Sequence, residues 1–149
     1  MIEIISMTIF DTKKIYAFLQ DLFLLIVRCS VGFAMLSHGF PKLQMLLEGG
    51  DIQFFNFLGL NSSISLGLAV FAEFVCSIFL ILGLFTRIAS FFLILTMATA
   101  VFLVHSGDPF EKQELGILYL CIYLLVFVFG AGKFSIDALI NKRKNSRIY

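Results

Sequence analysis

The 149-residue chain has the length of one domain, but its 60% hydrophobic and 14% charged side chains are too apolar for a soluble core to bury. A mean hydropathy of +0.99 points to an integral membrane protein. No basic patch interleaved with aromatics accompanies the net charge of +1, which excludes nucleic acid as a partner. The three isolated cysteines, Cys29, Cys76 and Cys121, form no CxxC pair, which excludes thioredoxin-like chemistry.

Residues 1–18 mix Ile2, Ile5, Ile9 and Tyr16 with Glu3, Asp11, Lys13 and Lys14, and read as a short interfacial lead-in. They carry no basic n-region and no cleavage site, so the first membrane helix is expected to act as its own insertion signal. Residues 19–133 read as an all-α, integral membrane four-helix bundle. The first span runs from Leu19 to Phe40 and is expected to stop at Pro41. The connection 41–63 holds the turn signal Glu48-Gly49-Gly50-Asp51 and the cluster Phe54-Phe55-Asn56-Phe57. That cluster is too short to span, and is expected in the interface or folded over the bundle as a lid.

Further spans cover Ile64–Phe85, Ile88–Val104 and Leu115–Ala131, each run being about the length needed to cross a bilayer. Thr86-Arg87 makes the second and third an antiparallel hairpin. Ser106–Glu114 is a hydrophilic loop, Gly130-Ala131-Gly132-Lys133 ends the last span, and residues 134–149 form a basic tail. With the amino terminus inside, Lys13, Lys14, Arg87, Lys133, Lys142, Arg143, Lys144 and Arg147 are cytoplasmic and only Lys42 and Lys112 lie outside, which predicts both termini in the cytoplasm.

Within the apolar runs stand one base, Arg28, and one acid, Glu73. With Gly39 and Ile64 as the outer helix ends and ~1.5 Å per residue, Arg28 lies ~16 Å deep and Glu73 ~14 Å. Equal depth on adjacent helices predicts an Arg28–Glu73 pair, since burying either ion alone is costly. Arg28, Gly32, Met35, Gly39 and Lys42 share one helical face, whose glycines admit close approach. His38, Lys42, His105 and Glu114 fall near the outer surface, so the expected site is a polar column from these residues down to Arg28 and Glu73. Haem ligation by His38 and His105 is disfavoured because neither lies deep. A metal site from His38, His105 and Glu114 lacks a helical spacing motif.

Three elements together resemble the DoxX family of small four-helix membrane proteins. They are Arg28-x3-Gly32-x5-His38-Gly39-x2-Lys42 with Glu73, Leu82-Gly83-Leu84-Phe85-Thr86-Arg87, and His105 followed by Gly130-Ala131-Gly132-Lys133-Phe134-Ser135-Ile136-Asp137. The family name comes from a subunit associated with quinol oxidase and thiosulfate:quinone oxidoreductase activities. The resemblance implies a bacterial inner-membrane protein, a subunit of a redox-associated complex linked to quinone or thiol chemistry, with protein partners or a homo-oligomer. A quinone would be held near Arg28, His38, Glu73 and His105. The alternatives are a non-catalytic scaffold that recruits a partner, and a small transporter, which four short spans could form only as an oligomer.

Overall fold

The computed structural model describes the backbone of residues 2–50 and 52–145, and side chains within residues 12–143 apart from Asp51 and Leu58. Ile2, Ile5 and Ile9 of the expected lead-in and the basic residues beyond Arg143 have side chains outside the described residues. Among the described residues five long helices follow in order: α1 (Ile2–Glu48), α2 (Ser62–Leu82), α3 (Thr86–Val104), α4 (Phe110–Phe129) and α5 (Ile136–Asn145). Four of them, α1 counted from Thr12, are long and apolar enough to cross a membrane.

α1 outruns the span expected from sequence. Pro41 lies inside it, and the helix ends only at Gly49 and Gly50, whose φ values of +67° and +88° are left-handed. Proline removes a single N–H and membrane helices tolerate that loss, whereas Lys42–Leu47 are good helix formers with no further breaker. α2 begins where the Asn61 side chain accepts from the Ile64 amide at 2.8 Å. α4 begins at Phe110, five residues before the expected start, because Pro109 suits a helix entry.

α1, α2, α3 and α4 pack in chain order, and α4 closes back on α1. Met35, Cys76, Leu80, Leu93, Met97, Tyr123 and Val126 form the centre. Phe23, Phe33, Phe102, Leu118 and Phe129 are all more than half exposed. That outward apolar belt is what a bilayer solvates, so close packing rather than hydrophobic exclusion must hold the helices together. The glycine stripe of α1 supplies it. A Cβ on Gly39 would lie 2.8 Å from the Glu73 carbonyl oxygen and the Phe74 nitrogen, and one on Gly32 would lie 3.3 Å from the Ser77 carbonyl oxygen.

The Arg28–Glu73 pair expected from sequence does not form. Arg28 is fully buried, but its guanidinium donates to the Leu80 carbonyl at 3.0 Å and the Phe134 carbonyl at 2.7 Å. The depth arithmetic took Gly39 as the outer end of helix one. The helix continues nine residues further to Glu48, ~14 Å of rise, so Arg28 sits near the opposite end of the bundle. There it faces the negative end of the α2 dipole, which offsets part of its burial.

This hairpin end is tied by the segment Gly130–Asp137. Gly83 turns the α2–α3 hairpin at φ +65°, and a Cβ there would collide with the Arg28 guanidinium and lie 2.5 Å from Ser135 Cβ. The Asp137 carboxylate accepts from the Phe85 and Thr86 amides, both at 2.9 Å, closing the first turn of α3. Its own amide donates to the Gly83 carbonyl at 2.9 Å. Asp21 accepts from the Lys133 amide at 3.0 Å and pairs with its ammonium at 3.2 Å.

Two outcomes test this packing in detergent melts. Gly39→Leu lowers the thermal midpoint by driving α1 from α2, whereas Gly67→Ala, with nothing within 4 Å of the added carbon, leaves the midpoint unchanged or raises it, the added stability being at most about 1 kcal/mol. Asp137→Ala removes two charge-assisted caps and costs about 2 kcal/mol, read as a lower unfolding midpoint with the helix content of the spans retained.

Candidate functional site

At the other end of the bundle the α1–α2 register brings Lys42 over Glu73. The ammonium reaches both carboxylate oxygens, at 2.5 and 2.6 Å, and the Glu73 side chain is only 4% exposed. In a low-dielectric setting, removing one partner of such a pair strands the other charge and costs about 3–5 kcal/mol. Lys42 follows Gly39 by three residues, so the glycine contact that seats α1 on Glu73 also delivers the ammonium.

The helices are irregular at this level. Phe71–Cys76, which contains Glu73, and Ala100–Val104, which leads into His105, are wound as π-helix. The His105 amide donates to the Ala100 carbonyl five residues back at 2.9 Å. Such bulges re-aim side chains and recur at functional sites.

Two cavities meet at the ion pair. The smaller, about 180 Å³, is lined by Lys42, Glu73, His38, His105, Lys112 and Tyr119. The larger, about 500 Å³, shares Lys42, Glu73 and His105 with it, and is otherwise walled by phenylalanines 54, 55, 57, 71 and 92 with small residues of α2 and α3. Ser62 and Ser65 hold the aromatic segment over it: the Ser62 hydroxyl donates to the Phe54 carbonyl at 3.1 Å, and the Phe57 amide donates to Ser65 Oγ at 3.0 Å. The phenylalanine cluster therefore folds back over the bundle.

Of the residues expected in one polar column, the structure gathers Lys42, Glu73, His38 and His105. Arg28 lies 14 residues from Lys42 along α1, ~21 Å away, in the hairpin lock. Glu114 is exposed and lines neither cavity. Lys112 and Tyr119, from the same helix, stand in its place. Tyr119 holds an edge contact with the His38 ring at 6.0 Å and stacks on Tyr123 at 5.9 Å. Two tyrosines four residues apart inside an apolar span were the sequence signal for that wall. Among the described residues no cluster of three or more His, Cys, Asp or Glu could hold a metal ion.

The model of the DoxX family matches residues 23–106, more than half of the chain. The chain belongs to the DoxX family. It is also 34% identical, over 125 residues, to an uncharacterized protein of Haemophilus influenzae, the match covering 77% of this chain and 88% of that one. No solved structure matches. This DoxX-family chain is thus a multi-pass membrane protein. The matched residues include Arg28, His38, Lys42, Glu73 and His105, whereas the Gly130–Asp137 tie falls beyond them.

Beside the site, the 105–113 loop closes on itself. His105 Nδ1 lies 2.7 Å from Asp108 Oδ2, and the Gln113 amide donates to the carbonyls of both residues. The hydrogen bond from His105, with Lys112 nearby, holds the Asp108 carboxyl below the usual carboxylate range. A depressed pKa means that this contribution is complete above the ordinary ~3.9 and disappears as the pH falls through the lower value. Protection of the 105–113 amides relative to their intrinsic exchange rates should therefore persist at neutral pH and be lost only in acid below ~3.9. Asp108→Asn should exchange fast already at neutral pH.

Proposed function

We propose that this protein is a small subunit of a redox-associated complex in the bacterial inner membrane, both termini cytoplasmic, and that it binds a quinone or similarly amphipathic molecule at the Lys42–Glu73 pair. The observation that carries the reading is the position of that pair, the shared wall of a small cavity edged by His38, Lys112 and Tyr119 and a larger phenylalanine-lined one. Pockets for small molecules fall in the ~300–1,000 Å³ range and are mostly apolar with a few converging polar groups. The larger cavity has that size and character.

Quinone carbonyls only accept hydrogen bonds, so the head needs donors held inside apolar walls. Lys42 supplies one, its ammonium aimed by the Glu73 carboxylate, and His105 lines the wall beside it. The ring and the first part of a hydrophobic tail would lie among Phe54, Phe57, Phe71 and Phe92. The expected topology puts the head at the outer side. Six of the eight Lys and Arg residues expected inside have described side chains (Lys13, Lys14, Arg87, Lys133, Lys142 and Arg143), and they belong to the hairpin end and its flanks, while Lys42 and Lys112 belong to the other. A soluble redox partner fits the same outer end through the 105–113 loop.

Titration of the purified protein with a short-chain quinone decides between a binding site and a scaffold. Saturable binding is expected. Lys42→Met should weaken it ~10- to 100-fold, the loss of one charged hydrogen bond, and Ala69→Phe should block the apolar cavity. Wild-type binding in both variants, or none in the parent, overturns the assignment. If the swapped pair Lys42→Glu with Glu73→Lys restores the melting point and also restores association with the native partner complex, the pair is a staple and the scaffold reading holds.

A further inference from the structure

The last helix has an apolar face that the bundle leaves uncovered. On α5, Ile136, Leu139, Ile140 and Arg143 recur at spacings that place them on one stripe. Leu139 is 62% exposed, and Ile140 and the preceding Phe134 are also exposed. The orientation of α5 is not free. Asp137 is tied to the Phe85 and Thr86 amides, and the Ser135 hydroxyl oxygen accepts from the Ala138 amide at 3.2 Å as the helix cap. These ties hold α5 at the level where α2 ends and α3 begins, that is, at one edge of the apolar belt.

The stripe continues that belt. Phe134 meets the outward-facing ring of Phe18 on α1 edge to face at 5.9 Å. Lys142 and Arg143 add positive charge at the far end of α5, and both are exposed. Apolar side chains on one face with long cations at its border suit a helix lying in a headgroup layer, its cations reaching lipid phosphates. Positive charge next to an apolar stripe also complements an anionic leaflet better than a zwitterionic one.

We propose that α5 is an interfacial helix that selects anionic phospholipid, seating Leu139 and Ile140 among acyl chains and placing Lys142 and Arg143 on phosphate headgroups. The selection makes the hairpin end, with its Arg28 and Asp137 ties, the lipid-sensing end of the molecule. It is independent of what the cavities at the opposite end bind.

The absence of tryptophan from the chain makes a clean experiment. Leu139→Trp introduces the only indole, and the full-length protein is reconstituted in phosphatidylcholine vesicles containing phosphatidylglycerol. Quenching is compared when one lipid or the other carries brominated acyl chains. Leu118→Trp, at an outward position of α4, sets the scale for ordinary lipid contact. The introduced indole at 139 should be quenched by both lipids, with brominated phosphatidylglycerol favoured ~5-fold if one cation acts and ~30-fold if two do. Lys142→Gln with Arg143→Gln should bring that ratio to that of the 118 reference, with circular dichroism unchanged. Three results overturn the proposal: emission typical of water with no quenching, buried emission that neither brominated lipid quenches, and a ratio equal to the reference before the cations are replaced.

Discussion

The close antiparallel packing of α1 on α2 through Gly32 and Gly39 is the constraint from which the other features follow. Gly39 lies against the backbone at Glu73 with no room for a methyl group. In a membrane, where lipid is as apolar as leucine, such backbone-to-backbone contact is a main source of helix adhesion. Once that register is set, two charges in α1 are assigned. Lys42, one turn beyond Gly39, must meet Glu73, and Arg28, eleven residues before Gly39, must meet the carbonyl end of α2 at Leu80.

The outcome is a molecule with two polar ends separated by an apolar middle. At the hairpin end the charges are matched with backbone: Arg28 with the Leu80 and Phe134 carbonyls, Asp137 with the Phe85 and Thr86 amides. Such bonds satisfy helix termini and leave little for a ligand, which is a structural role. At the loop end the Lys42–Glu73 pair adjoins a cavity on each side, and the helices that supply its walls are bulged. The difference between a charge that completes the fold and one that faces a cavity separates Arg28 from Glu73, although both are buried intramembrane ions.

That separation also has a length. Asp21 and Lys42, which mark the tied ends of α1, are 21 residues apart, ~32 Å of helix, about one hydrocarbon thickness. The hairpin end therefore meets one headgroup layer, with α5 and its cations beside it. The cavities beside Lys42 lie toward the other.

Composition alone determined that the chain is a four-span membrane protein, because sixty per cent apolar residues in runs of spanning length have no other stable solution. Helical periodicity likewise determined the glycine face of α1, and the hairpin was read at Thr86-Arg87, whereas the chain turns just before them, at Gly83–Phe85. What sequence could not supply was register. A proline read as a stop is only a missing N–H when the residues after it favour helix, and nine extra residues moved Arg28 by ~14 Å relative to the expected surface. Depth counted from helix ends inherits every error in those ends, so the acid of α2 was assigned to the wrong base of α1. The π-wound segments and the use of Lys112 in place of Glu114 have no local signature. They were decided only when four helices packed, since each depends on which side chains the neighbouring helix leaves room for.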